Sequence, residues 1–145
     1  MTANVFRKYL RDRDVPLLIY QGRLNLLDRA PQEEDILDYC AEHDIGFISF
    51  SPLAQGLLTD RYLNGIPADS RMSKEHFLKH SILTPELLEK IKSLNATASS
   101  RNETLAEMAL AWILHQKGVT SVLVGASSTA QLEKNMKCVH AKNFE

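Results

Sequence analysis

Short apolar runs alternate with amphipathic stretches of helical period along this chain, and that alternation constrains its fold more than any other feature. The runs are residues 17–20 (LLIY), 47–50 (FISF) and 121–124 (SVLV). The first is continuously apolar, as expected of a strand covered on both faces. Between the runs lie stretches of helical period: 33–43, burying Ile36, Leu37 and Cys40, and 103–116, burying Leu105, Met108, Ala109, Trp112 and Ile113 behind an Asn102 cap and closed by Gly118. A further helix opens at Thr84-Pro85-Glu86, where a capping hydroxyl, a proline at the first position and an acid near the positive end of the dipole coincide. Its buried stripe is Leu87, Leu88, Ile91 and Leu94. A helix over 3–13 precedes the first run, and another starts at Thr129 after the last.

This order predicts parallel strands joined by right-handed crossovers. Three parallel strands alone make an awkward sheet, because both outer strands expose unpaired edges. Parallel strands with helices outside and loops at one end also describe a sector of a (β/α)8 barrel, which takes about 250 residues. The 145 residues suffice for about half of one, and no repeat or linker divides them.

Composition narrows the partners. A formal net charge of −1 gives no electrostatic reason to expect nucleic acid or an anionic membrane surface. No apolar run approaches the roughly 18 residues of a membrane span, and the first residues lack the apolar core of a signal peptide. Cys40 and Cys138 stand far apart without metal-ligand or redox spacing, so a reducing, cytoplasmic setting is expected. His76 and His80 are four apart but have no third ligand, so no metal is expected. GxSxG, GxGxxG and Walker A patterns are all missing.

The chemistry concentrates where strands run into loops. Gln21 follows LLIY and offers an amide that matches a carboxamide, or bonds to loop backbone. Phe50 is either core or a ring able to stack on a heterocycle, with Ser51, Pro52, Leu53 and Ala54 beyond it able to hold a phosphate. Arg61 and Arg71, in the long connection that follows, suit bidentate phosphate binding or are simply solvated. Ser127 and Ser128 open the last helix, whose free N–H groups would accept a phosphate. The pattern Ser128-Thr129-Ala130-Gln131 also reads as a capping box that needs no ligand.

Two segments, FISFSPLAQGLLTDRYLNGIPADSR and VTSVLVGASSTAQLEKN, closely resemble the C-terminal half of an aldo-keto reductase, nearest to bacterial glyceraldehyde-3-phosphate reductases and potassium-channel β-subunits. The resemblance runs from about Asp14 to Val139. It implies that residues 1–145 form a partial domain, the C-terminal sector of a TIM barrel with about three βα units. It further implies an NADP(H) site, used in the family to reduce aldehydes or ketones by hydride transfer. By that resemblance Gln21 would bond the nicotinamide carboxamide and Phe50 would stack on the ring. Ser51, Pro52, Leu53 and Ala54 would line the pyrophosphate with Arg61 close by. Arg71, Ser127 and Gln131 would reach the 2′-phosphate, and Asn135 would approach the adenine.

Three residues depart from the family pattern: Leu24 replaces an aromatic residue, Asp60 a glycine, and Lys134 an acid. The family's catalytic tyrosine, lysine, aspartate and histidine belong to the first half of the barrel, and no segment here matches them. The expectation is therefore a chain inactive alone, taking a small carbonyl substrate only when the N-terminal half is supplied. The alternative is a non-enzymatic nucleotide-binding or interaction module that self-associates through its exposed strand edges.

Overall fold

A computed structural model describes residues 16–67 and 80–144, together with Val5 and Lys8. The helix expected over 3–13 lies outside these apart from those two residues, and Arg71 and His76 lie outside them as well. Three strands, β1 (Ile19–Arg23), β2 (Gly46–Phe50) and β3 (Val119–Val122), form one sheet in the order β1-β2-β3. Both pairings are parallel, so the loops that follow all three strands open at the same end. The helices are α1 (Ala30–Glu33), α2 (Ile36–Glu42), α3 (Pro85–Ser100), α4 (Leu105–Leu114) and α5 (Thr129–Met136). This is a sector of a parallel α/β barrel.

The sheet is covered on one face. Phe47, on β2, is fully buried among Leu24, Ile36, Leu37, Cys40, Ile45 and Ile113, which ties the sheet to α2 and α4. In register with it, Tyr20 faces the same side, its ring 5.7 Å from that of Phe47. The other face carries Ile19, Gln21 and Arg23 of β1 beside Gly46, Ile48 and Phe50 of β2, with Ser121 opposite Ile48. No described helix packs there. The expectation of a first strand covered on both faces is therefore corrected. Burial alternates along β1, Leu18 is 77% exposed and Ile19 47%, because an apolar run in an open sheet sector has a neighbour on one side only.

Other departures are local. The strand expected over 17–20 lies two residues later, so Gln21 sits within β1 rather than after it. The third strand begins two residues early, although Leu123 still donates its N–H to the Ser49 carbonyl at 2.8 Å. The helix expected over 33–43 is two pieces, broken at Asp35, whose φ of 56° is left-handed. Asn102 does not cap α4: it too is left-handed, and Thr104 takes the cap. Thr84 and Pro85 open α3 as expected, with Thr84 Oγ1 accepting from Leu87 N–H at 3.2 Å.

Candidate functional site

The segment after β2 is packed rather than loose. Leu57, Leu58 and Tyr62 are buried against Ile91 and Ala98 of α3 and Leu105, Met108 and Ala109 of α4. Each such side chain contributes about 1.5–3 kcal/mol on burial, and together they fix the path of residues 51–62. Within that path Ser51 (φ 51°), Ala54 (φ 46°) and Gln55 (φ 59°) all adopt left-handed backbone without being glycine. Such conformations persist only where surroundings impose them, and they concentrate at ligand sites. Pro52 is buried, while Leu53 and Ala54 pack against the core, so residues 51–54 can offer a ligand only backbone and the half-buried Ser51.

Polar bonds join β2 and this loop to the loop after β1. The buried Ser49 hydroxyl donates to the Leu24 carbonyl at 2.8 Å, and the Asn25 amide donates to the Ser51 carbonyl at 3.1 Å. Gln21 and Phe50 lie on the uncovered sheet face, where Gln21 is paired in register with Ile48 and is exposed. Phe50, at the carboxyl end of β2, is half-buried, so the core reading holds for Phe47 but not for it. Arg61 is exposed in the turn Asp60–Tyr62, which Thr59 caps by accepting the Arg61 N–H at 3.2 Å. Asp60 opens that turn and is exposed.

After β3 the chain passes through exposed Gly125 and Ala126 into α5. Ser128 caps α5, its Oγ accepting from Gln131 N–H at 3.2 Å. The reciprocal arm of the expected capping box is not formed to Ser128. Gln131 Oε1 instead accepts from the Ser127 N–H at 2.7 Å and the Ser127 hydroxyl at 3.0 Å, because Ser127 offers two donors one residue further out. Asn135 is 5% exposed, and its Nδ2 has no hydrogen-bond partner among the described residues. A buried amide donor left unpaired costs about 1–3 kcal/mol, and a ligand acceptor would remove that cost.

Tyr20 does not stand in for a catalytic acid. Burial first, then the charges of Cys40 and Glu34, push its phenol above the ordinary value, and its ring is on the helix-covered side, away from Gln21. Burial likewise raises the thiols of Cys40 and Cys138, which suits packing rather than nucleophilic chemistry. Among the described residues no three His, Cys, Asp or Glu side chains gather as metal ligands, and no helix is long and apolar enough to cross a membrane.

Comparison with known proteins places this geometry. The chain matches the aldo/keto reductase family over residues 1–145. It is 45% identical over 139 residues to L-glyceraldehyde 3-phosphate reductase of Escherichia coli K12, covering 93% of this chain and 40% of that protein. It is 36% identical over 125 residues to a probable voltage-gated potassium channel subunit beta of Arabidopsis thaliana, covering 84% and 38%. The holo form of an aldo-keto reductase from Bacillus halodurans superposes with a TM-score of 0.69 at 26% identity, over 100% of this chain and 44% of that one. The chain thus spans about two fifths of the curated relatives it matches. With strands, order and loop end all those of a barrel sector, this chain belongs to the aldo/keto reductase family.

Proposed function

We propose that the chain is the NADP(H)-binding C-terminal part of a carbonyl reductase, acting on aldehydes or ketones, glyceraldehyde 3-phosphate among them. The reading is carried by one observation: the loops after three parallel strands open at one end, with Gln21 and Phe50 on the uncovered face beneath them. That is where barrel enzymes bind ligands. The residues fit a dinucleotide. Gln21 would pair with the carboxamide and Phe50 would stack on the nicotinamide. Ser51 and the backbone of Pro52–Ala54 would hold the pyrophosphate with Arg61 beside it. Arg71, Ser127 and Gln131 would take the 2′-phosphate. Asn135, with its unpaired Nδ2, would meet the adenine. The bound cofactor supplies hydride; this chain binds and orients it.

To serve a phosphate the Ser127 hydroxyl must turn away from Gln131 Oε1, exchanging one neutral hydrogen bond for a charge-assisted one, whereas Gln131 can donate from Nε2 with its Oε1 still held by the Ser127 N–H. Proton delivery to the carbonyl oxygen is outside this chain's residues, and the chain alone is inactive in this reading. The test is titration of the 145-residue chain with NADPH, followed by nucleotide fluorescence, with NADH as control. Preference for NADPH supports the reading; a folded chain that binds neither nucleotide sinks it. A second reading, an interaction module, is favoured by the uncovered sheet face and by an apolar stripe on α5 and the turn after it, Leu132, Met136 and Val139, all exposed. In that reading the strand edges pair with another copy.

A further inference from the structure

We infer that Asn25 is a positioning residue that fixes the left-handed conformation of Ser51 and so presets the loop proposed to hold the pyrophosphate; the ligand part of this inference rests on the function proposed above. Asn25 is 1% exposed and none of the expected ligand contacts includes it. Its Oδ1 accepts from Leu27 N–H and Asp28 N–H, each at 2.9 Å. Those two donors fix the amide orientation, since a flipped amide would set its own donors against them. The Nδ2 therefore faces the Ser51 carbonyl, at 3.1 Å.

The same carbonyl accepts from Ala54 N–H at 3.0 Å, so both its lone pairs are engaged. Ser51 has φ 51° and is not glycine, so the backbone there has no intrinsic reason to hold this shape. Pro52 follows, and its fixed φ transmits the orientation of the Ser51 carbonyl directly into the start of the next turn. Asn25 is itself rigid, held through its backbone by the paired bonds with Asp28 at 2.9 and 3.1 Å. The side chain thus links the loop after β1 to the loop after β2 by one buried donor. A ligand that reads loop backbone gains affinity from such presetting.

The test uses the full 145-residue chain and two variants. Asn25→Asp keeps the acceptor for Leu27 and Asp28 but loses the donor to Ser51. Asn25→Ser keeps a shorter local acceptor, cannot reach Ser51 and adds no charge. NADPH affinity and amide hydrogen exchange at residues 51–56 and 105–114 are measured on each. The expected result is exchange that quickens at 51–56 while 105–114 stays protected, with affinity roughly tenfold weaker in both variants. Unchanged exchange at 51–56 in a folded variant overturns the inference, whatever the affinity does. A drop in affinity confined to Asn25→Asp also overturns it, because repulsion of the phosphates by the new carboxylate then explains the loss. If the unaltered chain binds no NADPH, the nucleotide reading fails on its own, and quickened exchange at 51–56 still establishes the positioning. Failure of both variants to fold makes Asn25 a residue of the fold and overturns the inference.

Discussion

At Ser49 a single oxygen is decisive. It is fully buried and its hydroxyl satisfies the Leu24 carbonyl at 2.8 Å. Ser49→Ala leaves that carbonyl unpaired in the interior and should lower stability by about 1–3 kcal/mol, read from a urea midpoint. Gly118 is the converse case. Its φ is 90°, and a Cβ there would stand 2.5 Å from the Leu37 carbonyl oxygen. Gly118→Ala should cost at least about 1–3 kcal/mol by thermal or urea unfolding, since both strain and backbone overlap oppose it. Neither residue's partner was legible in the sequence, where Ser49 reads as one polar letter inside an apolar run. Long-range pairing of a side chain with a carbonyl leaves no periodic trace.

Three protons give the pH dependence a definite sign. Burial raises the thiols of Cys40 and Cys138 above their ordinary 9.0, and the phenol of Tyr20 above its ordinary 10.0. The folded chain therefore holds these protons longer than the unfolded chain as pH rises. Their stabilisation is complete below about pH 9 and is lost as pH climbs through the folded-state values. Unfolding midpoints should accordingly decline on the alkaline side of that point, and a midpoint that rises there would refute the assignment. The same burial predicts that both thiols react slowly with a disulfide reagent near neutral pH until the chain is unfolded.

Among the secondary-structure elements, helix starts were more readable than strand limits, and the reason is chemical. Thr84-Pro85 and Ser128 each carry their own cap, so local letters decide. At α4 the cap is Thr104, whose Oγ1 accepts from Glu107 N–H at 3.2 Å while Glu107 Oε2 accepts from Thr104 N–H at 2.7 Å. That T-x-x-E box stands two residues beyond Asn102, whose preference for left-handed backbone resembles the preference of its side chain for caps. Thr104→Ala should destabilise the protein by about 1 kcal/mol, whereas Asn102→Gly should be close to neutral; equal losses would mean the cap is misassigned. Strand limits depend on partners across the sheet. Leu17 and Leu18 look like strand, yet the ladder begins at Ile19 opposite Gly46.

For the whole molecule, family and barrel-sector architecture were legible because strand–helix order and two loop segments survive as contiguous letters. The one-sided sheet was not, since apolar content does not state how many neighbours a strand has. Its uncovered face carries the last prediction. Leu123 is 47% exposed, between Val122 and Val124, which pack against the core. In the proposed self-association, concentration-dependent assembly should appear in sedimentation velocity, and Leu123→Lys should weaken it. A chain that stays monomeric at high concentration would argue against edge pairing.

The two bonds that tie the loop after β1 to the end of β2 and the loop beyond it bear on how this scaffold can be altered. Ser49 to Leu24 and Asn25 to Ser51 interlock residues from both segments in alternating order. A designer who grafts the loop after β2 from a relative, and leaves 24–28 untouched, changes the backbone that Asn25 grips at Ser51 while the Ser49 bond, made from within β2, stays behind. Residues 24–28 and 49–56 are better exchanged together, as one module, than as two independent loops.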